Sequence, residues 1–225
     1  MNVLITGANR GIGLEFCRQL TGRGDKVMAA CRSSSNALQN LKEEAGDRLQ
    51  LIEGADVTSD EGLAHLRKGA GGTQIDLLIN NAGLMEGVTL DELDISSIRR
   101  QFEINAIAPL QVTKALLGNF SKLAKVCIVT SRMGSVDDND SGGSYGYRMS
   151  KAAANMVGRS LSVDLASRGI SVALLHPGYV RTDMTGGNGL MDTDESVAGL
   201  IRIIDRLGPD NTGLFWHTNG EVLPW

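Results

Sequence analysis

Asn2-Val3-Leu4-Ile5-Thr6-Gly7-Ala8-Asn9-Arg10-Gly11-Ile12-Gly13 is the stretch on which the fold turns. Residues 2–6 are too few and too β-branched for a helix and read as a short buried strand. Glycines follow at positions 7, 11 and 13, and a helix is expected from there to about Gly22. A strand that enters a glycine turn and leaves as a helix has a phosphate-binding geometry. Glycine lets the backbone approach a pyrophosphate, and the free amides and positive end of the helix stabilise its charge. The spacing is Thr-Gly-x-x-x-Gly-x-Gly, not the more widespread Gly-x-Gly-x-x-Gly. A glycine loop alone can be a tight turn, so the rest of the chain must decide.

A second strand is expected over Lys26–Cys31. The acidic residue that would hold a ribose 2′-hydroxyl belongs about 20 residues beyond the glycines. Arg32 stands there instead, and its guanidinium suits a 2′-phosphate, with Arg10 as a second charge; this favours NADP(H) over NAD(H). Helix and strand then alternate: helix 36–44, strand 49–53, helix 60–68, strand 76–79. Repeated β-α order with short links predicts a parallel sheet covered by helices on both faces, with ligands outside the carboxyl ends of the strands. Asp56-Val57 follows the third strand, where Asp56 suits an adenine amino group, although a turn aspartate preceding a helix explains it as simply. Asn80-Asn81-Ala82-Gly83 follows the fourth.

A long helix is expected from Asp94 or Ser96 to about Asn119, with Asn105 the polar residue on an apolar stripe. Pro109 has no N–H, so the Asn105 carbonyl loses its helical donor and a kink is expected. A fifth strand is expected over 125–130, and Ser131 follows it. The segment 135–145, rich in Asp, Ser and Gly, reads as a loop. Asp137-x-Asn139-x-Ser141-Gly142 has the opening of a calcium loop, but its twelfth position is Arg148 where a bidentate glutamate belongs, so no metal is expected. The chain continues with a helix from Tyr147 to about Ser167, a strand 171–176, Pro177-Gly178, a helix 194–206 and a strand 214–217.

Tyr147 and Lys151 stand four residues apart at the start of that helix and share a face. An adjacent cation favours the phenolate, so the pair is a candidate proton donor, although a surface tyrosine beside a solvated lysine gives the same spacing. Tyr145 has Met149 at that spacing and cannot gain the cation.

The 225 residues suit one domain, residues 1–225, without repeats or linkers. A net charge of −4, a pI near 5.4 and the lack of a dense Lys/Arg cluster argue against nucleic acid. The first residues lack the basic region of a signal or transit peptide, and no apolar run suits a membrane span, so a cytoplasmic protein with no membrane partner is expected. Cys17, Cys31 and Cys127 are expected to be free thiols.

Taken together, the Thr6–Gly13 glycines, Asn80–Gly83, Asn105, Ser131, Tyr147-x-x-x-Lys151 and Pro177-Gly178 with Thr182 resemble the short-chain dehydrogenase/reductase family over essentially the whole chain. Tyr-x-Tyr-Arg-Met-Ser-Lys and the Gly220–Trp225 ending resemble its carbonyl-reductase and C-signal-like branch. The resemblance implies an α/β fold, a single-domain Rossmann-type doubly wound parallel sheet. It also implies cofactor contacts from Gly7, Asn9, Arg10, Gly11, Ile12, Gly13, Arg32, Asp56, Val57, Asn81, Ala82, Gly83, Tyr147, Lys151, Pro177, Gly178, Val180 and Thr182. In the implied chemistry Tyr147 is the acid or base, Lys151 lowers its pKa and holds the nicotinamide ribose, and Ser131 hydrogen-bonds the substrate oxygen. The Asn105 carbonyl anchors a water leading to Lys151. The partners implied are a small carbonyl or alcohol substrate and further copies of the chain, as a dimer or tetramer.

Two departures stand out. Ser131 and Tyr147 are sixteen positions apart, more than the family usually has, so the loop between them carries an insertion, and Ser135 or Ser144 is an alternative to Ser131. The segment 185–193, which in the family often forms a lid, is short and glycine-rich, which suggests a permissive pocket. Asp137, Asp138 and Asp140 would repel anionic substrates if they face that pocket. The rival reading is a dinucleotide-binding signalling or regulatory protein of C-signal type on the same fold.

Overall fold

The computed structural model describes residues 1–225. Its strands are β1 (Asn2–Thr6), β2 (Lys26–Ala30), β3 (Leu49–Ile52), β4 (Ile75–Asn80), β5 (Phe120–Val129), β6 (Ser171–His176) and β7 (Leu214–His217). They form one sheet in the order β3-β2-β1-β4-β5-β6-β7, and every neighbouring pair is parallel. The chain winds outward from β1 in one direction and from β4 in the other. The crevice beyond the carboxyl ends of β1 and β4 is therefore the topological switch point, where a doubly wound sheet binds ligands.

The helices are α1 (Gly11–Gly22), α2 (Asn36–Ala45), α3 (Asp60–Ala70), α4 (Ile95–Phe102), α5 (Ala108–Ala115), α6 (Tyr145–Asp164) and α7 (Thr193–Arg206). Strand side chains alternate between faces, which splits the core into two layers. Val3 and Ile5 of β1 pack with Phe16, Leu20, Leu200 and Ile204 from α1 and α7. Leu4 joins the opposite layer with Leu63, Leu66, Val112 and Leu161 from α3, α5 and α6. Both faces of the sheet are covered, which is why its strands are apolar throughout instead of alternating with polar residues.

The long helix expected over residues 94–119 is divided. A π-helical segment, Glu103–Ile107, separates α4 from α5, and helix ends at Ala115, four residues short of Asn119. Pro109 supplies no N–H to the Asn105 carbonyl, and the backbone widens here, with Ala108 N–H donating to the Glu103 carbonyl. α6 begins at Tyr145, two residues before the expected start, and follows Ser144 in the left-handed region at φ 47°. The three cysteines are free and buried. No helix is long and apolar enough to cross a membrane.

Candidate active site

The glycine loop is built by contact with β4. Gly7 has φ 64°, and a Cβ there would lie 2.8 Å from the Ala82 Cα. A Cβ on Gly13 would lie 2.2 Å from the Gly7 carbonyl oxygen and 2.5 Å from Asn81 Nδ2. These two positions are glycine because two backbones and an amide occupy the space of a side chain. Asn81 Nδ2 donates to the carbonyl oxygens of Thr6 (3.1 Å) and Gly7 (3.0 Å), while Thr6 Oγ1 accepts from the backbone of Asn81 and Ala82. Asn81 thus spends its amide on holding the loop. The sequence placed it beside a cofactor but gave no sign of this bracing role.

Arg10 is the N-cap of α1 and makes no side-chain cap, so no side chain competes for the amides of the first turn. Thr182 comes from beyond β6, and its Cγ2 would be 3.5 Å from a Cβ on Gly11. Arg32 lies exposed at the carboxyl end of β2, beside the loop that carries Ala8 and Asn9. Arg10, expected as a second charge there, reaches Asp183 at 3.5 Å in an exposed pair that a ligand can displace at little cost. Asp56 Oδ1 accepts from Thr58 N–H and Oγ1. These bonds, with Arg32 nearby, hold its carboxyl below the usual range. This is the turn role the sequence already allowed.

Ser131, Tyr147 and Lys151 are all buried and meet at the carboxyl ends of β5 and β6. Ser131 and Tyr147 line one cavity of about 410 Å³, together with Ile12, Thr130, Pro177, Gly178, Val180 and Thr182. Lys151 Nζ donates to the Val129 carbonyl oxygen at 2.9 Å and has no other protein partner. Its remaining N–H groups suit the hydroxyls of a ribose, and a buried ammonium without them is costly. A Cβ on Gly83 would lie 3.7 Å from Lys151 Nζ and 3.3 Å from Asn105 Oδ1, so the glycine admits both side chains. Uncapped amides at the glycine loop, a cradle a Cβ would fill and an ammonium with unspent donors together fit a dinucleotide.

The Asn105 side chain is fully engaged: Oδ1 accepts from Leu84 N–H at 2.8 Å, and Nδ2 donates to the Leu84 carbonyl oxygen (2.8 Å) and Ser150 Oγ (2.9 Å). Ser150 Oγ donates in turn to the Tyr147 carbonyl oxygen at 2.8 Å. The amide therefore ties the β4 end to the first turns of α6.

Burial pushes the Tyr147 phenol up to about 12, with the Ser131 hydroxyl acting in the opposite sense. Burial lowers the Lys151 ammonium to about 8. The lowering expected from Lys151 does not appear: burial raises the phenol, and the influence that opposes it is the Ser131 hydrogen bond.

Of the alternatives to Ser131, Ser135 donates to the Trp225 carbonyl oxygen at 2.9 Å and accepts from Asp138 N–H, so its hydroxyl is spent. Ser144 does not line the cavity. Trp225 O also accepts from Val136 and Asp137 N–H, and its ring stacks on Phe215 at 5.8 Å. The chain ending singled out in the sequence is thus a strap on the inserted loop. Asp138 lines the cavity but is ion-paired with Arg132, and Asp137 and Asp140 are not in its wall. The lid segment folds back through a bridge between Val180 and Met191.

One wall residue was not anticipated. His176 contributes to the cavity with its Nδ1 buried and unpartnered, and it stands edge-on to His217 at 5.0 Å. Burial, then His217 and Arg132, hold it down to about 3, so it is neutral. As the last residue of β6 before Pro177, it occupies a strand end, the one signal that pointed to it.

A doubly wound sheet with a glycine loop at its switch point and a buried Ser-Tyr-Lys group beside it belongs to the dinucleotide-dependent oxidoreductases. The chain is a member of the short-chain dehydrogenase/reductase family: the family model for short chain dehydrogenase matches residues 1–192. It is 43% identical over 229 residues to 1-hydroxy-2-glutathionyl-2-methyl-3-butene dehydrogenase of a Rhodococcus species, covering 99% of both chains. It is 46% identical over 155 residues to the C-signal of Myxococcus xanthus, covering 67% of this chain and 93% of the other. Among solved structures, a Pseudomonas aeruginosa carbonyl reductase in complex with NADP superposes with a TM-score of 0.89 at 37% identity, covering 100% of this chain and 99% of that one.

Proposed function

We propose that this protein is an NADP(H)-dependent carbonyl reductase that interconverts a small aldehyde, ketone or quinone with its alcohol. The observation that carries the reading is the cavity shared by Ser131 and Tyr147, backed by Lys151 and closed by Pro177, Gly178 and Thr182. The nicotinamide, when bound, supplies or accepts the hydride. Ser131 donates to the substrate oxygen as charge develops on it. Tyr147 gives that oxygen its phenolic proton during reduction and, as phenolate, takes it back during oxidation. Lys151 holds the ribose and brings positive charge beside the phenol when its own environment is made polar. The Asn105 main chain, in the π segment, is the anchor for a water that refills the proton. Arg32 reads the 2′-phosphate, which favours NADP(H) over NAD(H). Gly7, Asn9, Gly11, Ile12 and Gly13 cradle the pyrophosphate, and Arg10, once released from Asp183, is the second charge beside Arg32. Asp56 and Val57 flank the adenine, Asn81 to Gly83 and Val180 the nicotinamide side.

The same reading takes the chain as a homodimer or tetramer through its long helices, where Ile107, Leu110, Met149, Met156 and Val163 are exposed. It places the protein in the cytoplasm. A regulatory role of C-signal type would need the nucleotide site alone, whereas this chain also buries a complete proton donor. The test is Tyr147→Phe. Purified protein should oxidise NADPH faster than NADH with members of a carbonyl panel, and the variant should lose turnover by about a thousandfold or more while NADPH fluorescence titration still shows binding. Turnover that survives the substitution sinks the mechanism. Tight NADPH binding with no turnover of any carbonyl favours the regulatory role.

A further inference from the structure

Resting on the carbonyl-reductase reading, we propose that the substrate carries a carboxylate remote from its carbonyl and that Arg148 receives it. Three side chains that carry charge at neutral pH line the cavity: Arg132, Asp138 and Arg148. Arg132 and Asp138 neutralise each other as an ion pair. Arg148 has no carboxylate partner. Its Nε donates to the Gly142 carbonyl oxygen at 3.1 Å and its Nη2 to Ser141 Oγ at 2.7 Å. A guanidinium has five N–H donors, so most remain for a ligand, in the planar fork that matches a carboxylate. Both anchoring groups belong to the inserted loop between Ser131 and Tyr147, and the strap at Trp225 fixes the other end of that loop. The guanidinium is therefore held in place before a ligand arrives, and little freedom is lost on binding.

The rest of the wall does not oppose this charge. Asp137 and Asp140 lie outside it, and His176 is neutral. Met85, Met133, Tyr179 and Met184 add apolar surface to the same wall. The site therefore takes a carbonyl at Ser131 and Tyr147, an apolar span and an anion at Arg148. Of the three loop aspartates whose repulsion depended on facing the pocket, only Asp138 lines it, and Arg132 pairs with it.

The test compares acids with their neutral esters. The complex with NADPH, which cannot oxidise an alcohol, is titrated calorimetrically with 4-(hydroxymethyl)benzoate and 4-(hydroxymethyl)phenylacetate, which differ in reach by one methylene, and with their methyl esters. At least one acid should bind about tenfold or more tightly than its ester, as a charge-assisted pair requires. Arg148→Met should collapse that ratio to near one, and Arg148→Lys should restore part of it; NADP⁺ titration of each variant checks that the cofactor site survives. Two results overturn the proposal: neither acid exceeding its ester in the unsubstituted protein, or Arg148→Met weakening acid and ester alike, which would leave Arg148 as a brace for the loop. The corresponding aldehydes are then assayed with NADPH. An acid preference in binding without turnover of any aldehyde would refute the carbonyl-reductase reading and leave the anion site standing.

Discussion

Lys151 Nζ lies 5.6 Å from the centroid of the Tyr147 ring and gives its hydrogen bond to the Val129 carbonyl oxygen, 2.9 Å away. The ammonium thus sits over the ring at cation–π distance while its hydrogen bond goes to the end of β5. Burial raises the phenol to about 12 and lowers the ammonium to about 8.

Lys151 should therefore destabilise the protein it serves. Its folded pKa is below its unfolded one, so the folded chain binds fewer protons between about pH 8 and 10.5, and stability rises with pH across that window. Lys151→Met should be more stable at pH 7 by on the order of 3 kcal/mol and lose this advantage by pH 10. Denaturant melts of both proteins at the two pH values measure the difference, and the same variant should be inactive. Equal stability at pH 7 would mean that the ammonium is solvated.

Arg32→Asp should move cofactor preference from NADPH toward NADH by about ten- to a hundredfold in the ratio of kcat/KM values. An unchanged ratio would remove Arg32 from the 2′-phosphate and return the question to Arg10.

Gly13→Ala should cost about 1–3 kcal/mol and weaken NADPH binding, because the new methyl meets the Gly7 carbonyl and the Asn81 amide that braces it. Gly22→Ala, in the same helix with open space around it, is the control and should be neutral or slightly stabilising. Thermal melts with and without NADPH compare them.

Ser135→Ala removes one of the three donors to the Trp225 carbonyl and the acceptor of Asp138 N–H. KM for the carbonyl should rise severalfold, with kcat and cofactor affinity changed less, since the loop carries Asp138 and Ser141 of the cavity wall and no proton donor. A fall in kcat alone would instead give Ser135 a part in the chemistry.

The sequence by itself determined the order of strands and helices, the parallel doubly wound class and the residues that stand at strand ends. Each of these is local: strand length, glycine spacing and the Tyr147 to Lys151 interval are read along the chain. The preference for Tyr147 over Tyr145 as the proposed proton donor also needed only the helical repeat. What tertiary structure decided lies between distant segments. Asn81 braces Gly7, Trp225 straps the loop after Ser131, Asp138 is cancelled by Arg132, and His176 is left with an unpartnered nitrogen. Pairing across such separations leaves no periodicity in the sequence. Desolvation depends on burial in three dimensions, so the reversal of the expected Tyr147 shift could be found only once the chain was folded.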